Sequence, residues 1–488
     1  MGEKSQNSKK PTMEIDFAEL QDGSLVDLIQ DPLDPSKSLL ARYIHGTVQQ
    51  LKEVRDGNRI LTPVSREDPS HKHIRLPRGA EPFGGVSELF RHVGTLLNCC
   101  LDLEVDWIML MAIYGLSTWF PEKIPAAPYL ALVGPPSSGK TTAMRCLSLV
   151  CRRGLLTADV TSAGFYDVCE RMRPTLLIDE TLTAGHRPTL FHLLRSSNSP
   201  GFVSLRKNKA RFAYGPKVLS WLEMPNDPAL NSRCIIIPMQ RTTRADLKSP
   251  NDPKTLQYAE KIQMGLQQFR FEYFKKLVPP RIPGNEKLSA RMLDLYRALA
   301  LPIGEHEELC ACLAHLIANQ RQFHRCLLSA PQASMARVLY GLIHTDHTNG
   351  GYWLRDLTRL MNADLASHNE SAGLTERRSG ELLTSLGLTF RTRMNAGYIL
   401  WLDRVDRERV HRLAWDYEVD DVSPPSDTKC EFCTQAQTVA PQTDTPAVSV
   451  VRQAGSDRPK RKRVALRARR SFAGIRLPVA APKRSHQT

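Results

Sequence analysis

The sequence predicts an α/β fold, a P-loop NTPase core with helical flanks, on three observations. Residues Gly134-Pro135-Pro136-Ser137-Ser138-Gly139-Lys140-Thr141 complete the pattern G-x-x-x-x-G-K-[ST]. The apolar run Ala131-Leu132-Val133 reads as a buried strand entering that loop, and 141–150 as the helix leaving it. Downstream, Thr175-Leu176-Leu177-Ile178-Asp179-Glu180 is a second apolar strand ending in two carboxylates.

Each residue type in this pattern has a chemical reason. The glycines let backbone N–H groups converge on phosphate oxygens, and the following helix aims its N-terminus at the same charge. The candidate nucleotide-binding residues run from Gly134 through Thr141 to Thr142. Lys140 would reach the β- and γ-phosphates of ATP, and the Thr141 hydroxyl would ligate Mg²⁺. Asp179 would hold the same Mg²⁺, and Glu180 would polarise the attacking water.

Around this pair the periodicity alternates between strand and helix. Val86 to Phe120 reads as two helices, with Val105 to Phe120 buried beside the nucleotide fold. Leu155 to Val160 is an extra strand, and Thr161-Ser162 caps a helix through Met172. A strand between the loop strand and the acid strand marks the P-loop ATPases that carry an additional catalytic glutamate. Lys217 to Met224 and Cys234 to Met239 are further strands, followed by helices over 256–277, 288–301 and 306–328. Gly185, Pro188 and Pro200 interrupt the stretch after Glu180, where a helix is expected.

From Tyr129 to Gln240 the chain resembles an AAA+-type (ASCE-like) ATPase, and within that group the superfamily 3-like, primase-associated ATPases of phages and mobile elements. The resembling blocks are 174–180, 215–218 and 231–239, and the likeness extends from about Val86 to Tyr417. It implies a γ-phosphate sensor at Asn226, although Asn226-Asp227-Pro228 is also a good turn. It also implies an arginine finger at Arg233, acting in trans and so requiring a homo-oligomer such as a ring. Arg291 is a further sensor candidate.

Gly201 to Tyr214 reads as a β-hairpin with the basic tip Lys207-Asn208-Lys209. In superfamily 3-like helicases a hairpin at this place grips the nucleic-acid backbone, which implies phosphate contacts from Arg206, Lys207, Lys209 and Arg211. The other reading is an ordinary solvated hairpin whose lysines protect an edge. Toward the C-terminus, helices over 353–362 and 374–386 precede strands over 389–394 and 398–403 and a helix over 404–417. That order resembles a winged-helix-like domain, with Arg377 and Arg378 opening the recognition helix and Arg391 and Arg393 on the wing.

The expected organisation is a weakly structured N-terminal segment (1–80), a helical lead-in (81–128), the ATPase core (129–245), a helical lid (246–330), the winged-helix-like domain (331–421) and a disordered basic tail (422–488). The formal charge is +15 over 488 residues, and most of it lies in the tail, where 452–488 hold twelve Lys/Arg against one Asp. Eleven scattered cysteines suit a reducing cytoplasm better than a disulfide scaffold, and a bacterial host would make the protein nucleoid-associated. The polar start, Met1 to Thr12, is no signal peptide, and no apolar run is long enough to span a membrane. Cys430 and Cys433 offer two of the four ligands a zinc site needs, with no second pair nearby in sequence, so no metal is expected there. Cys310, Cys312 and Cys326 read as helical core positions.

Three functions fit these residues: an ATP-hydrolysing DNA motor of the helicase kind serving phage or mobile-element replication, a non-translocating ATP switch such as a helicase loader, and a DNA-binding regulator whose ATP site controls oligomerisation. Residues 1–80 show no primase or nuclease constellation.

Overall fold

Residues 12–63 set apolar side chains between tight turns and fold as seven strands. These are β1 (Thr12–Ile15), β2 (Phe17–Glu19), β3 (Leu25–Gln30), β4 (Ser38–Ile44), β5 (Thr47–Leu51), β6 (Val54–Asp56) and β7 (Arg59–Pro63), in two sheets ordered β1-β7-β6 and β2-β3-β4-β5. The computed structural model describes residues 11–158, 160–179, 187–206, 209–225, 227–242, 244–278, 290–304, 306–327, 330–345, 351–368, 373–389, 391–417, 430 and 432–433. The weak structure expected over 1–80 is therefore corrected: strands fill 12–63. The pattern is hard to read because β3 is buried along most of its length yet carries Asp27 in the middle. His45 and Gly46, at φ 49° and 80°, make the two-residue turn between β4 and β5.

Asp27 belongs to a buried ionic network that ties the N-terminal strands to the helical framework. Arg152 Nη2 lies 3.1 Å from both its oxygens, Arg153 Nη2 2.6 Å from Oδ1 and Arg270 Nε 2.6 Å from Oδ2. Arg153 and Arg173 also hold Asp16, and Arg270 reaches Glu122 at 2.9 Å. Burial pushes the Asp27 carboxyl up, and the charges of Arg152, Arg153 and Arg270 more than reverse it, leaving it far below the ordinary carboxylate range.

After the short helix α1 (Pro69–Lys72), α2 (Val86–Cys100) and α3 (Val105–Ser117) form the predicted helical pair. α3 is buried from Leu110 onward, and Trp119 just beyond it donates from Nε1 to Val150 O at 2.9 Å. No helix among the described residues is long and apolar enough to cross a membrane.

The central sheet comes from β8 (Tyr129–Val133), β9 (Leu155–Thr157), β10 (Leu176–Ile178), β13 (Lys217–Trp221) and β14 (Cys234–Pro238), all parallel and ordered β14-β8-β13-β10-β9. Before β13 come β11 (Ser204–Arg206) and β12 (Lys209–Arg211), which pair antiparallel. A strand does stand between the loop strand and the acid strand, but it is β13. The expected intervening strand, now β9, sits at the sheet edge against β10. Among the described residues α4 (Lys140–Val150), α5 (Ser162–Met172), α6 (Arg187–Ser196) and the short α7 (Pro228–Asn231) lie between successive strands of this sheet. Thr161 caps α5 as predicted, accepting from Gly164 N.

The stretch expected as a lid is helical, but much of it is framework. After α7 (Pro228–Asn231) come α8 (Pro253–Tyr273), α9 (Ala290–Ala300) and α10 (Glu307–Leu327). α8 packs on α2 and α4, stacks Phe271 on Tyr43 at 5.4 Å, and buries Arg270 completely. From α10 the buried Gln320 accepts from Ile236 N at 2.8 Å and donates to Ile236 O at 2.9 Å, completing the edge of β14. Helices fixed this way cannot swing as a unit without breaking buried contacts.

The chain divides into two compact units, one ending at Leu327 and the other beginning at Leu328. The second contains α11 (Ala330–Thr345), β15 (Gly351–Trp353), α12 (Leu354–Ser367), α13 (Glu376–Ser385), β16 (Arg391–Met394), β17 (Gly397–Trp401) and α14 (Arg404–Asp416). Its sheet is ordered β15-β17-β16, and Leu339, Leu357, Met361, Leu383, Leu400 and Val410 form its core. Thr375 caps α13 by accepting from Arg378 N.

Candidate nucleotide-binding site

β8 runs between β14 and β13 inside the parallel sheet and ends at Val133, so the loop leaving it lies at the strands' carboxyl ends, where open α/β sheets hold ligands. The loop is pinned on both sides. Gly134 N donates to Trp221 O at 3.2 Å, and Met239 N donates to Val133 O at 2.7 Å. A Cβ on Gly134 would stand 2.2 Å from Met239 O, a backbone atom in that pairing. Ser137 and Gly139 take φ of 64° and 85°, which turn the chain into the first residue of α4. Gly134→Ala is therefore expected to spread β8 from β14, destabilising the protein by about 1–3 kcal/mol and weakening nucleotide binding. Thermal melting and an ATP titration check both effects.

Lys140 Nζ lies 2.6 Å from Gly134 O and 3.0 Å from Pro135 O, which places its ammonium inside the curve of the loop. Ser138 Oγ is buried with no hydrogen-bond partner among the described residues. Thr141 Oγ1 donates to Asp179 Oδ2 at 3.1 Å, across from the loop. Asp179 reaches that position because β10 lies in register with β9 and its backbone N donates to Thr157 O at 2.9 Å. A hydroxyl and a carboxylate converging at the start of a helix, beside an ammonium and an orphaned buried hydroxyl, fit a magnesium–triphosphate group.

The cleft has a volume of about 390 Å³, within the range of small-molecule sites. Ser137 to Thr142 line one side. The other comes from residues that sequence reasoning missed: Leu101, Asp102 and Leu103 between α2 and α3, and Met239, Gln240 and Thr242 after β14. Thr242 Oγ1 donates to Asp102 Oδ2 at 2.9 Å, joining these two segments. Apart from Met239, which closes the block 231–239, no periodicity or motif marks them, because they are loop residues that meet only through the tertiary fold.

Glu180, Asn226 and Lys207 lie outside the described residues. Arg233 precedes β14, at the strand end opposite the loop, so a strand of five residues, roughly 16 Å, separates it from its own site. Its Nε donates to Asn198 Oδ1 at 3.0 Å, and another guanidinium nitrogen donates to Ala229 O. Arg291 lies beside it, donating to Ser232 Oγ at 3.2 Å.

The hairpin forms with Arg206 opposite Lys209, and Lys209 is exposed. Arg211 is already committed: it pairs with Asp167, with Glu170 at 3.1 Å, and lies 5.8 Å from the Tyr166 ring centroid. The structure thus gives Arg211 the task of fastening the hairpin to α5. Phe212 N strengthens that attachment by donating to Glu170 Oε1 at 2.8 Å. In the second unit Arg377 and Arg378 are exposed, with 3.4 Å and 3.0 Å contacts to Glu381, and Arg393 is exposed. Arg391 instead turns inward, donating to Gly380 O at 2.8 Å and Thr384 Oγ1 at 2.6 Å.

No family model matches the chain, and no curated protein matches it. Among solved structures it is similar to the active helicase Cch of SCCmec type IV, at 12% identity over 83% of this chain and 81% of that one, with a TM-score of 0.42. It is similar to the C-terminal region of NrS-1, at 11% identity over 77% and 95% of the two chains, with a TM-score of 0.35. The JCV helicase matches at 18% identity over 49% and 66%, with a TM-score of 0.26.

Proposed function

We propose that this chain is an ATP-hydrolysing, nucleic-acid-associated motor, a DNA helicase-like ATPase of phage or mobile-element replication. The observation that carries the reading is the Thr141–Asp179 contact at 3.1 Å, facing a loop that holds Lys140 in its curve. Lys140 draws charge from the β- and γ-phosphates, and loop amides and the α4 N-terminus hold the rest. Magnesium held by Thr141 and Asp179 would supply charge neutralisation at the transferring phosphoryl group. Glu180 orients the attacking water, and Asn226 senses the γ-phosphate.

Arg233 cannot serve its own site from the far end of β14. It serves the site of a second copy of this chain, which makes the active form a homo-oligomer, a ring in the simplest arrangement. Docking of that copy exchanges its Asn198 and Ala229 contacts for phosphate oxygens. The α12, α13 and β16–β17 arrangement is read as a winged helix that docks on DNA through Arg377, Arg378 and Arg393.

Transmission from ATP to DNA has a physical route. Arg211 and Phe212 fix the hairpin to α5, and the chain leaving α5 becomes β10, which leads into Asp179. A shift at the acid strand on phosphate release moves the base of the hairpin, and its tip moves a strand held by Arg206, Lys207 and Lys209. Lys207→Ala with Lys209→Ala is expected to abolish the increment that single-stranded DNA adds to ATP turnover. It should also flatten the log–log salt dependence of single-strand binding by about 1.4, from two lost phosphate contacts. Stimulation that survives the double change moves the assignment to a non-translocating ATP switch. That second reading is favoured by one observation: Arg211 is spent on Asp167 and Glu170, which leaves the hairpin less basic than its sequence implies.

A further inference from the structure

Cys430 and Cys433 offer two of four zinc ligands in sequence, and the fold brings two histidines to them. His344 lies in the last turn of α11 and His411 on α14, and these two helices pack together within the second unit. The four ligand atoms of His344, His411, Cys430 and Cys433 lie within 4.8 Å of one another. His344 Nε2 is 3.3 Å from Cys433 Sγ, and His411 Nε2 is 3.2 Å from Cys430 Sγ. Tetrahedral zinc with bonds of about 2.3 Å to sulfur and about 2.0 Å to nitrogen has S···N edges of roughly 3.5 Å, close to these separations.

The second observation concerns the other ring nitrogens. His344 Nδ1 is 2.7 Å from Tyr340 O, and His411 Nδ1 is 2.7 Å from Arg407 O, each one helical turn back. A carbonyl can only accept, so both Nδ1 atoms carry the proton and both Nε2 atoms present a lone pair to the cysteines. This is the outer hydrogen bonding that fixes tautomer and ring orientation in metal-ligating histidines. Two helices therefore supply it independently, and both rings point the correct nitrogen toward one place. Phe432 packs its ring 5.2 Å from that of His411, and Tyr340 stands 4.4 Å from His344, which gives the cluster an aromatic wall.

We infer that His344, His411, Cys430 and Cys433 form a structural zinc site that clasps the chain at its two cysteines to α11 and α14. The ligand set is closed, with four protein donors and no position left for water or substrate, so the site is structural and not catalytic. Two thiolates with two imidazoles select zinc over magnesium or calcium, which take oxygen ligands. Metal binding replaces the thiol protons, and the thiolate charge is neutralised by the ion. A zinc ion here departs from the expectation of no metal at Cys430 and Cys433. The completing ligands lie 89 and 19 residues upstream of their respective partners, on elements whose packing no local pattern reveals.

The test is elemental analysis of the full chain, purified from zinc-supplemented medium after dialysis. One zinc per chain is expected, lost in Cys430→Ser/Cys433→Ser and in His411→Ala, and retained in Cys310→Ser, a cysteine outside the cluster. Should the double variant fail to fold, cobalt titration of the unaltered chain after chelator treatment reads the same ligands. Intense tetrahedral thiolate–cobalt bands, displaced stoichiometrically by zinc, support the site. A wild-type chain without zinc and without those bands overturns it, as does zinc that persists in a folded double variant.

Discussion

Lys140→Ala is expected to lower ATP turnover by about two to three orders of magnitude, the scale of losing one preorganised charge donor at a reacting oxygen. The loss should fall mainly on kcat. The loop amides and the α4 N-terminus still bind triphosphate, while the developing charge on the transferring phosphoryl group loses its ammonium. Folding should be spared, because Lys140 is only half-buried and its contacts are to Gly134 O and Pro135 O within the loop itself. Steady-state turnover paired with calorimetric ATP binding separates the two effects. Turnover equal to that of the unaltered chain would move the chemistry away from this loop.

Asp27→Asn should be the most damaging single change to stability, costing about 3–5 kcal/mol. The substitution keeps the shape and removes the charge on which Arg152, Arg153 and Arg270 converge, leaving three buried guanidiniums to share Asp16 and Glu122. The same network sets a pH response. The folded carboxyls of Asp27 and Asp16 lie below their unfolded values, Asp16 at about 2, so their contribution is complete above the unfolded value of about 4. It is lost as pH falls from there toward 2. Melting temperature measured from pH 7 down to pH 3 should drop at the acid end for the unaltered chain. Asp27→Asn should start lower and show a smaller drop, since one of the titrating groups is gone.

Sequence and structure agree most closely where chemistry demands adjacent residues. The phosphate loop, the helix after it and the acid strand are contiguous motifs, and β8, α4 and β10 appear where the residues place them. The hairpin at 204–211 and the helix–hairpin–helix order of the second unit were legible for the same reason: turn residues and apolar spacing are local. Long-range partnership was not legible. Asp27 carries no signal in a segment expected to be weakly structured, because its partners Arg152 and Arg270 come from far along the chain. Arg211 and Arg391 read as nucleic-acid contacts on a hairpin and a wing until Glu170 and Gly380 are found beside them. His344 and His411 carry no signal as ligands, because only the packing of α11 on α14 brings them to Cys433 and Cys430.

The most direct measurement is steady-state ATP hydrolysis by the purified chain in magnesium, with and without single-stranded DNA. Magnesium-dependent turnover that single-stranded DNA increases is the expected result. A chain that neither binds nor hydrolyses ATP under those conditions, while folded by melting, would contradict it.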